Sequence, residues 1–324
     1  MEQQETMELA NKKLNSNKKK PNTQFINSNT SEISLEHLSK DCIIPTFKDN
    51  EQTLAHQELI EATKNCIASL FPSQEISQPE IMVSHEIKGR IPEAIGKPVK
   101  ELQTHEKTRY YERCAFLFQL PNVKEVINNN ELSLTIGGVR AYNMENLYSK
   151  KSMEKFKVFI GFQNKVCTNL CISTDGFQAE LRASNISELE EKIIELIQGY
   201  DAKSHLVQLD SFGDYSLTES QFAHFIGRAK LYHYLPKKLK AEIPLLDMND
   251  GHISSIARTY FEDENFSSEG NGNIDLWKMY NLFTGATKSS YIDTFLDRTV
   301  SAHKLTRGIT HALDGHGDYQ WFLS

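Results

Sequence analysis

Between residues 79 and 184 the apolar side chains of this chain keep a two-residue period. On both sides of that interval they recur every three or four positions, and this switch of period limits the fold more than any other feature. In residues 155–162, KFKVFIGF, the side chains Phe156, Val158, Ile160 and Phe162 alternate with Lys155, Lys157 and Phe159. Such alternation predicts a strand with one face buried and the other partly wet. PEIMVSHEIKGRIP, CAFLFQL, ELSLTIGGVRAYN and GFQAELRAS are further strand-type runs, and KFKVFIGF reads as part of one longer run, KFKVFIGFQNKVCTNLCIS. Turn formers separate the runs, including Asn128 to Asn130 and Asp175-Gly176, so a mainly antiparallel sheet is expected.

Helical periodicity brackets the sheet. In HQELIEATKNCIASLFP, with Leu54 just ahead of it, Leu54, Leu59, Ile60, Ile67, Leu70 and Phe71 form one stripe and Pro72 enforces the stop. This helix should cover the buried face. A second helix is expected from Ser187, with Glu190 completing a capping box and Ile193, Ile194 and Ile197 turned inward. Past residue 201 helices dominate, the first entered through Thr218 and Gln221 and stopped before Pro236. The stretch EDENFSSEGNGN, residues 262–273, has too little apolar content for an element and reads as a surface loop. Two helices should follow, one carrying Leu276, Trp277, Tyr280 and Phe283, the other Tyr291, Phe295, Leu296, Val300, Leu305 and Ile309. The expected class is α+β: a mainly antiparallel sheet packed by helices, followed by a mostly helical C-terminal region. The expected division is a disordered basic tail over 1–45, a sheet domain over 46–200 and a helical region over 201–324.

The tail carries five lysines between Lys12 and Lys20 and almost nothing to bury, which suits a solvated arm or a loose nucleic-acid tether. The chain as a whole is acidic, with a net charge of −7, so a protein that coats DNA everywhere is excluded and any polyanion contact must be a local patch. No apolar run approaches the roughly 18–20 residues of a membrane span, and no apolar segment follows the N-terminal lysines as in a signal peptide. Five cysteines, an odd number, fit reduced thiols better than a disulfide framework. The expected location is cytoplasmic, with no membrane partner.

Motifs for chemistry are weak. Cys167 and Cys171 lack the second pair a structural zinc needs, and buried thiols explain them better. His311, Asp314, His316 and Asp318 combine imidazole and carboxylate, but they straddle a helix end and a Gly-rich turn, where such residues are common as caps. His303, Arg307 and His311, four apart on one helical face, suit either contact with phosphates or, the better explanation, a solvated polar stripe. Ile136-Gly137-Gly138-Val139 lacks the Lys-Ser/Thr of a phosphate loop, so a bulge or a close backbone approach accounts for it. No cofactor, metal or catalytic residue is expected, and an enzyme is the less favoured class.

Two segments, GFQNKVCTNLCI at 161–172 and DLWKMYNLFTGATKSSYIDTFLDR at 275–298, resemble a family known as domain of unknown function 3871 and, more distantly, phage/plasmid-like proteins. The matching positions are Cys167, Thr168, Asn169, Trp277, Tyr280, Asn281 and Thr284. The resemblance implies mobile-element biology and carries no catalytic role onto any of them.

The strongest functional candidate is HFIGRAKLYHYLPKKLK, residues 224–240. It sets Arg228, Lys230, Lys237, Lys238 and Lys240 beside Tyr232, His233 and Tyr234, with Glu219 and Glu242 as the only acidic residues from Thr218 to Glu242. Cations neutralise phosphates and exposed aromatics stack on unpaired bases. Helical periodicity sends Phe222, Phe225, Ile226, Leu231 and one tyrosine to the core. Arg307 joins the candidates from the later helix, and Arg109, Tyr110, Tyr111 and Arg113 form a weaker second cluster. The expected function is a non-catalytic DNA-binding accessory protein of a mobile genetic element, of the single-strand binding or annealing kind. The helix-plus-antiparallel-sheet order is compatible with annealase-like cores, an analogy of fold only. The alternative is a protein-interaction module, such as an inhibitor of a host defence enzyme, presenting Trp277, Tyr280 and Phe283 to its partner.

Overall fold

The computed structural model describes residues 24–42, 44, 53–144 and 153–324; Lys12 to Lys20 of the basic arm lie outside them. Strands β1 (Ser31–Glu32), β2 (Glu80–Val83), β5 (Arg113–Ile127), β6 (Asn130–Ala141), β7 (Glu154–Asn164) and β8 (Leu170–Cys171) hydrogen-bond in that order. β9 (Phe177–Ala183) also pairs with β7, and every pairing in this sheet is antiparallel. The β5–β6 hairpin turns at Asn128 and Asn129, whose φ angles of 47° and 63° are the left-handed pair that a tight two-residue turn requires. The bulge in this hairpin lies between Leu120 and Lys124. At Gly137 and Gly138 the ladder is regular, and these glycines permit close approach instead, since a Cβ on Gly137 would stand 2.1 Å from the Phe116 carbonyl oxygen.

The run PEIMVSHEIKGRIP is two strands. β2 joins the large sheet, whereas β3 (Glu86–Arg90) leaves it after Ser84 and His85 to pair with β4 (Lys107–Tyr111) in a separate two-stranded ribbon. KFKVFIGFQNKVCTNLCIS is also broken. β7 stops at Asn164, the chain turns through Thr168 at a φ of 58°, and β8 returns along β7. Cys167 therefore sits in a turn, and only Cys171 is on a strand.

One sheet face, with Phe116, Phe118, Ile136, Phe156, Val158, Ile160 and Phe162, meets α2 (His56–Leu70) and α3 (Ile186–Gly199) in one core. α3 is capped two positions earlier than expected, by Asn185, whose side chain accepts from the Glu188 amide, so Ser187 lies inside the helix and is not its cap. Its inward residues are Leu189, Ile193 and Ile197, with Ile194 half-buried. The opposite face, expected to be partly wet, is covered. Phe159, Leu117, Val139 and Ile172 pack against Phe25, Ile26, Ile292, Phe295, Leu296 and Val300, the last four from α9 (Ile292–Leu313). Burying a side chain the size of Phe159 stabilises by about 1.5–3 kcal/mol, so the second layer is a substantial share of the fold's stability. Lys157 on that face reaches past the apolar layer to pair with Asp297.

Past α3 come α4 (Ala202–Ser211), α5 (Glu219–Tyr232), the single turn α6 (Lys237–Lys240), α7 (Asp250–Glu262) and α8 (Leu276–Thr287), with β10 (Ser216–Leu217) and β11 (Ile274–Asp275) forming a short ribbon. A short helix, α1 (Leu35–Lys40), completes the set near the N-terminus. α9 links the two halves: its first turns lie on the sheet, and Ala302, Leu305 and Ile309 join the core shared with α5, α7 and α8. The loop 262–273 is as expected except that Phe266 is buried and anchors it. Two surface depressions, of about 210 and 200 Å³, are smaller than the roughly 300–1,000 Å³ of ordinary small-molecule pockets.

Candidate nucleic-acid interface

α5 is positioned by its N-cap. Thr218 accepts from the Gln221 amide at 3.3 Å while Gln221 accepts from the Thr218 amide at 2.9 Å, the reciprocal pair read from the sequence. Phe222, Phe225 and Ala229 then face the core, and Ile226 is half-buried. Leu231, expected inside, is exposed, and its neighbour Tyr232 takes the inner place.

The basic residues have different surroundings. Arg228 donates from Nε to the Ser324 backbone oxygen at 2.8 Å and lies 5.0 Å over the Trp321 ring. Lys230 is 2.8 Å from Asp250 and 2.6 Å from the Ser254 hydroxyl. Tyr232 is 2% exposed and packs against Trp321 and Phe322, so no base can stack on it, and the ammonium of Lys240 sits 4.4 Å over its ring. Lys237 and Lys238 are exposed and, among the described residues, meet no carboxylate. The aromatic open to solvent is Tyr234, 80% exposed. Burial and the Lys240 charge hold the His233 imidazole below its usual pKa, so it adds no positive charge at neutral pH. Arg307 is exposed on α9, a different element, and the C-terminal turn at 318–322 packs on both α9 and α5.

The other constellations resolve as packing. His303 is buried beside His205, Phe212 and Tyr280, and only Arg307 and His311 of the expected stripe are at the surface. Asp314 caps α9 and accepts from the Tyr215 hydroxyl at 3.0 Å, while Gly315 and Gly317 have φ near 83° and 89°. Among the described residues no three His, Cys, Asp or Glu side chains converge as metal ligands. Burial pushes the Cys66 thiol up to about 12 and the Cys167 thiol to about 11, so neither supplies a thiolate nucleophile at neutral pH.

The two motif segments of the resemblance meet. Asn281 on α8 accepts from Asn164 at 3.2 Å through its side-chain oxygen, and its backbone oxygen accepts from the Asn169 amide group at 2.9 Å. Its own amide group donates to the Trp277 carbonyl at 3.0 Å, and Asn164 also donates to Asn130 at 3.0 Å. Lys288, at the end of α8, donates to the Cys167 carbonyl and, at 2.9 Å, to the Thr168 hydroxyl. Burial pushes its pKa down to about 8. Each buried amide has partners, which is the condition for a polar network to specify one arrangement. The network clamps the 165–169 turn to α8, and Trp277 is 3% exposed, so it belongs to this clamp and offers no docking patch.

The sequence reading did not find Arg140. Its guanidinium is buried between Tyr142 and Phe156 and pairs with Glu154, which in turn accepts from the Leu54 amide at 3.1 Å. The pair ties the start of α2 to β6 and β7, and no local sequence signal marks it.

No curated protein and no solved structure matches the chain. The pattern of one family covers residues 6–323, and the chain thus belongs to DUF3871, described as "Domain of unknown function, B. Theta Gene description".

Proposed function

We propose that this chain is a non-catalytic binding protein for single-stranded DNA, acting through the surface around α6. The observation that carries the reading is the exposure of Lys237 and Lys238, unmatched by carboxylates among the described residues, within four positions of the exposed Tyr234. Lysines neutralise the phosphates, and one aromatic face stacks a base, worth about 1–3 kcal/mol. Arg228, Lys230 and Lys240 act at the margin, because each already has an internal partner. The proposed setting is the cytoplasm, in the service of a mobile genetic element, as the resemblance of segments 161–172 and 275–298 implies.

A gel-shift titration of a short single strand tests the reading. Binding is expected by about 10 μM protein, on the order of the weakest useful non-specific affinity. Tyr234→Ala should cost about 1 kcal/mol or more of it. Absence of binding at that concentration contradicts the proposal. A second reading, a protein-interaction module such as an inhibitor of a host defence enzyme, is favoured by one observation. Leu231, Leu239 and Leu245 are all exposed near the same lysines, an apolar content that a protein partner would cover.

A further inference from the structure

The β3–β4 ribbon carries a second cationic surface, remote in sequence from α6. Its register sets Lys88 directly opposite Arg109 and Arg90 directly opposite Lys107, so that four cations share one face. The other face holds Gly89 and the buried Thr108. Glu86 is the one carboxylate at the base of this ladder, 2.9 Å from Lys88 and 2.6 Å from Arg109. Among the described residues Arg90 and Lys107 meet no carboxylate, and Arg90 donates to the Lys97 carbonyl. Like charges directly opposite each other destabilise a ribbon, and a chain of net charge −7 has no shortage of acidic residues to intersperse. Glu86 offsets the Lys88–Arg109 rung, but the Arg90–Lys107 rung meets no carboxylate among the described residues and is a cost without a folding benefit.

Apart from pairing with each other, β3 and β4 make only sparse contacts with other elements, and the base is fastened by Tyr111, whose hydroxyl meets His37 at 3.0 Å and whose carbonyl meets His56 at 2.8 Å. The far end, beyond Arg90, exposes Ile95 and Val99.

We infer that this ribbon is an arm that grips the phosphate backbone of duplex DNA. Two-stranded ribbons fit the major groove, and rungs two residues apart stand about 7 Å from one another along the strand, a spacing that places several ammonium and guanidinium groups along one row of phosphates. The cationic face exposes no aromatic ring, since Tyr111 is buried, so it lacks the stacking platform that single strands use and reads backbone charge alone. The site is separate from α6 and does not depend on single-strand binding there.

Fluorescence anisotropy with a labelled duplex tests the arm. The variant Lys88→Gln/Arg90→Gln/Lys107→Gln/Arg109→Gln should lose at least about tenfold in affinity at 0.1 M salt, and its plot of log K against log salt should flatten by about 3–4 units. Lys88→Arg/Lys107→Arg, which keeps the charges, should bind as the parent does. The glutamine variant loses the two Glu86 ion pairs along with the like-charged rungs, so only a small change in melting temperature is expected, and it is measured alongside the affinity. Should it nevertheless unfold, the single change Lys107→Glu, facing Arg90, carries the same test with at least a few-fold loss. Unchanged duplex affinity and slope in the glutamine variant overturn the arm, whatever single strands do with Lys237→Gln/Lys238→Gln. Displacement of the duplex by poly-glutamate at equal charge concentration also overturns it, in favour of an acidic polypeptide ligand.

Discussion

His205 and His303 lie edge to face with ring centroids 5.1 Å apart, and among the described residues the Nε2 atom of each has no hydrogen-bond partner. Burial, and then the neighbouring His303, pushes His205 from an ordinary 6.5 to about 3, while burial and then the Arg307 charge push His303 to about 4. The unfolded chain therefore binds protons near pH 6.5 that the folded chain refuses until pH 3–4. Stability is full above pH 6.5 and falls as pH drops through that window, by at most about 1.4 kcal/mol per pH unit for each histidine. Urea unfolding at pH 7 and pH 5 checks this. His303→Leu should lose less stability than the parent between the two values, and an identical loss would contradict the assignment. The sequence placed His303 on a surface stripe because it stands four residues from Arg307, and the reason that failed is helical geometry. Each step of four overshoots a full turn by about 40°, so over eight residues the stripe drifts by about 80° from an exposed face into a buried one.

At the scale of elements, the central strands show why a glycine pair reads as ambiguous in sequence and definite in structure. Adding a Cβ at Gly137 brings it 2.1 Å from the Phe116 carbonyl oxygen and 2.9 Å from the Phe159 ring, with backbone on one side that cannot yield. Gly137→Ala should therefore cost more than the roughly 1 kcal/mol of an average point substitution, separating β5 from β6 and lowering the melting temperature by several degrees. Hydrogen-exchange protection of residues 115–118 and 136–139 should fall with it; a variant that melts like the parent would refute the close-approach reading. Periodicity found α2 and the Thr218 cap because the signals there are local. It joined β2 to β3 and β7 to β8, because the breaks at Ser84 and Thr168 are made by partners distant in sequence: Ser84 donates its amide to the Arg113 carbonyl, and the Thr168 hydroxyl accepts from Lys288. The two-residue period says which residues alternate, not which sheet they join.

On the scale of the whole molecule, the α+β class was legible because an antiparallel sheet between helices follows from the change of period alone. The covering of both sheet faces was not, since α9 lies more than a hundred residues beyond β7 and its two apolar stripes serve two cores. The same distance explains the candidate interface. Arg228 and Lys230 look free in a local window, yet Ser324 and Asp250 reach them from elsewhere. What remains open at the α6 surface is Lys237, Lys238 and Tyr234, while Arg307 is exposed on α9, a separate helix. An acidic protein that binds single strands through so few charges should show a shallow salt dependence, about 0.7 per phosphate neutralised.

The salt slope of single-strand affinity, compared between the parent and Lys237→Gln/Lys238→Gln, is the most direct measurement of the central claim. If these lysines contact phosphates, the log–log slope should fall by about 1.4, with affinity at 50 mM salt falling several-fold or more. Equal slopes and equal affinities in the two proteins would contradict it.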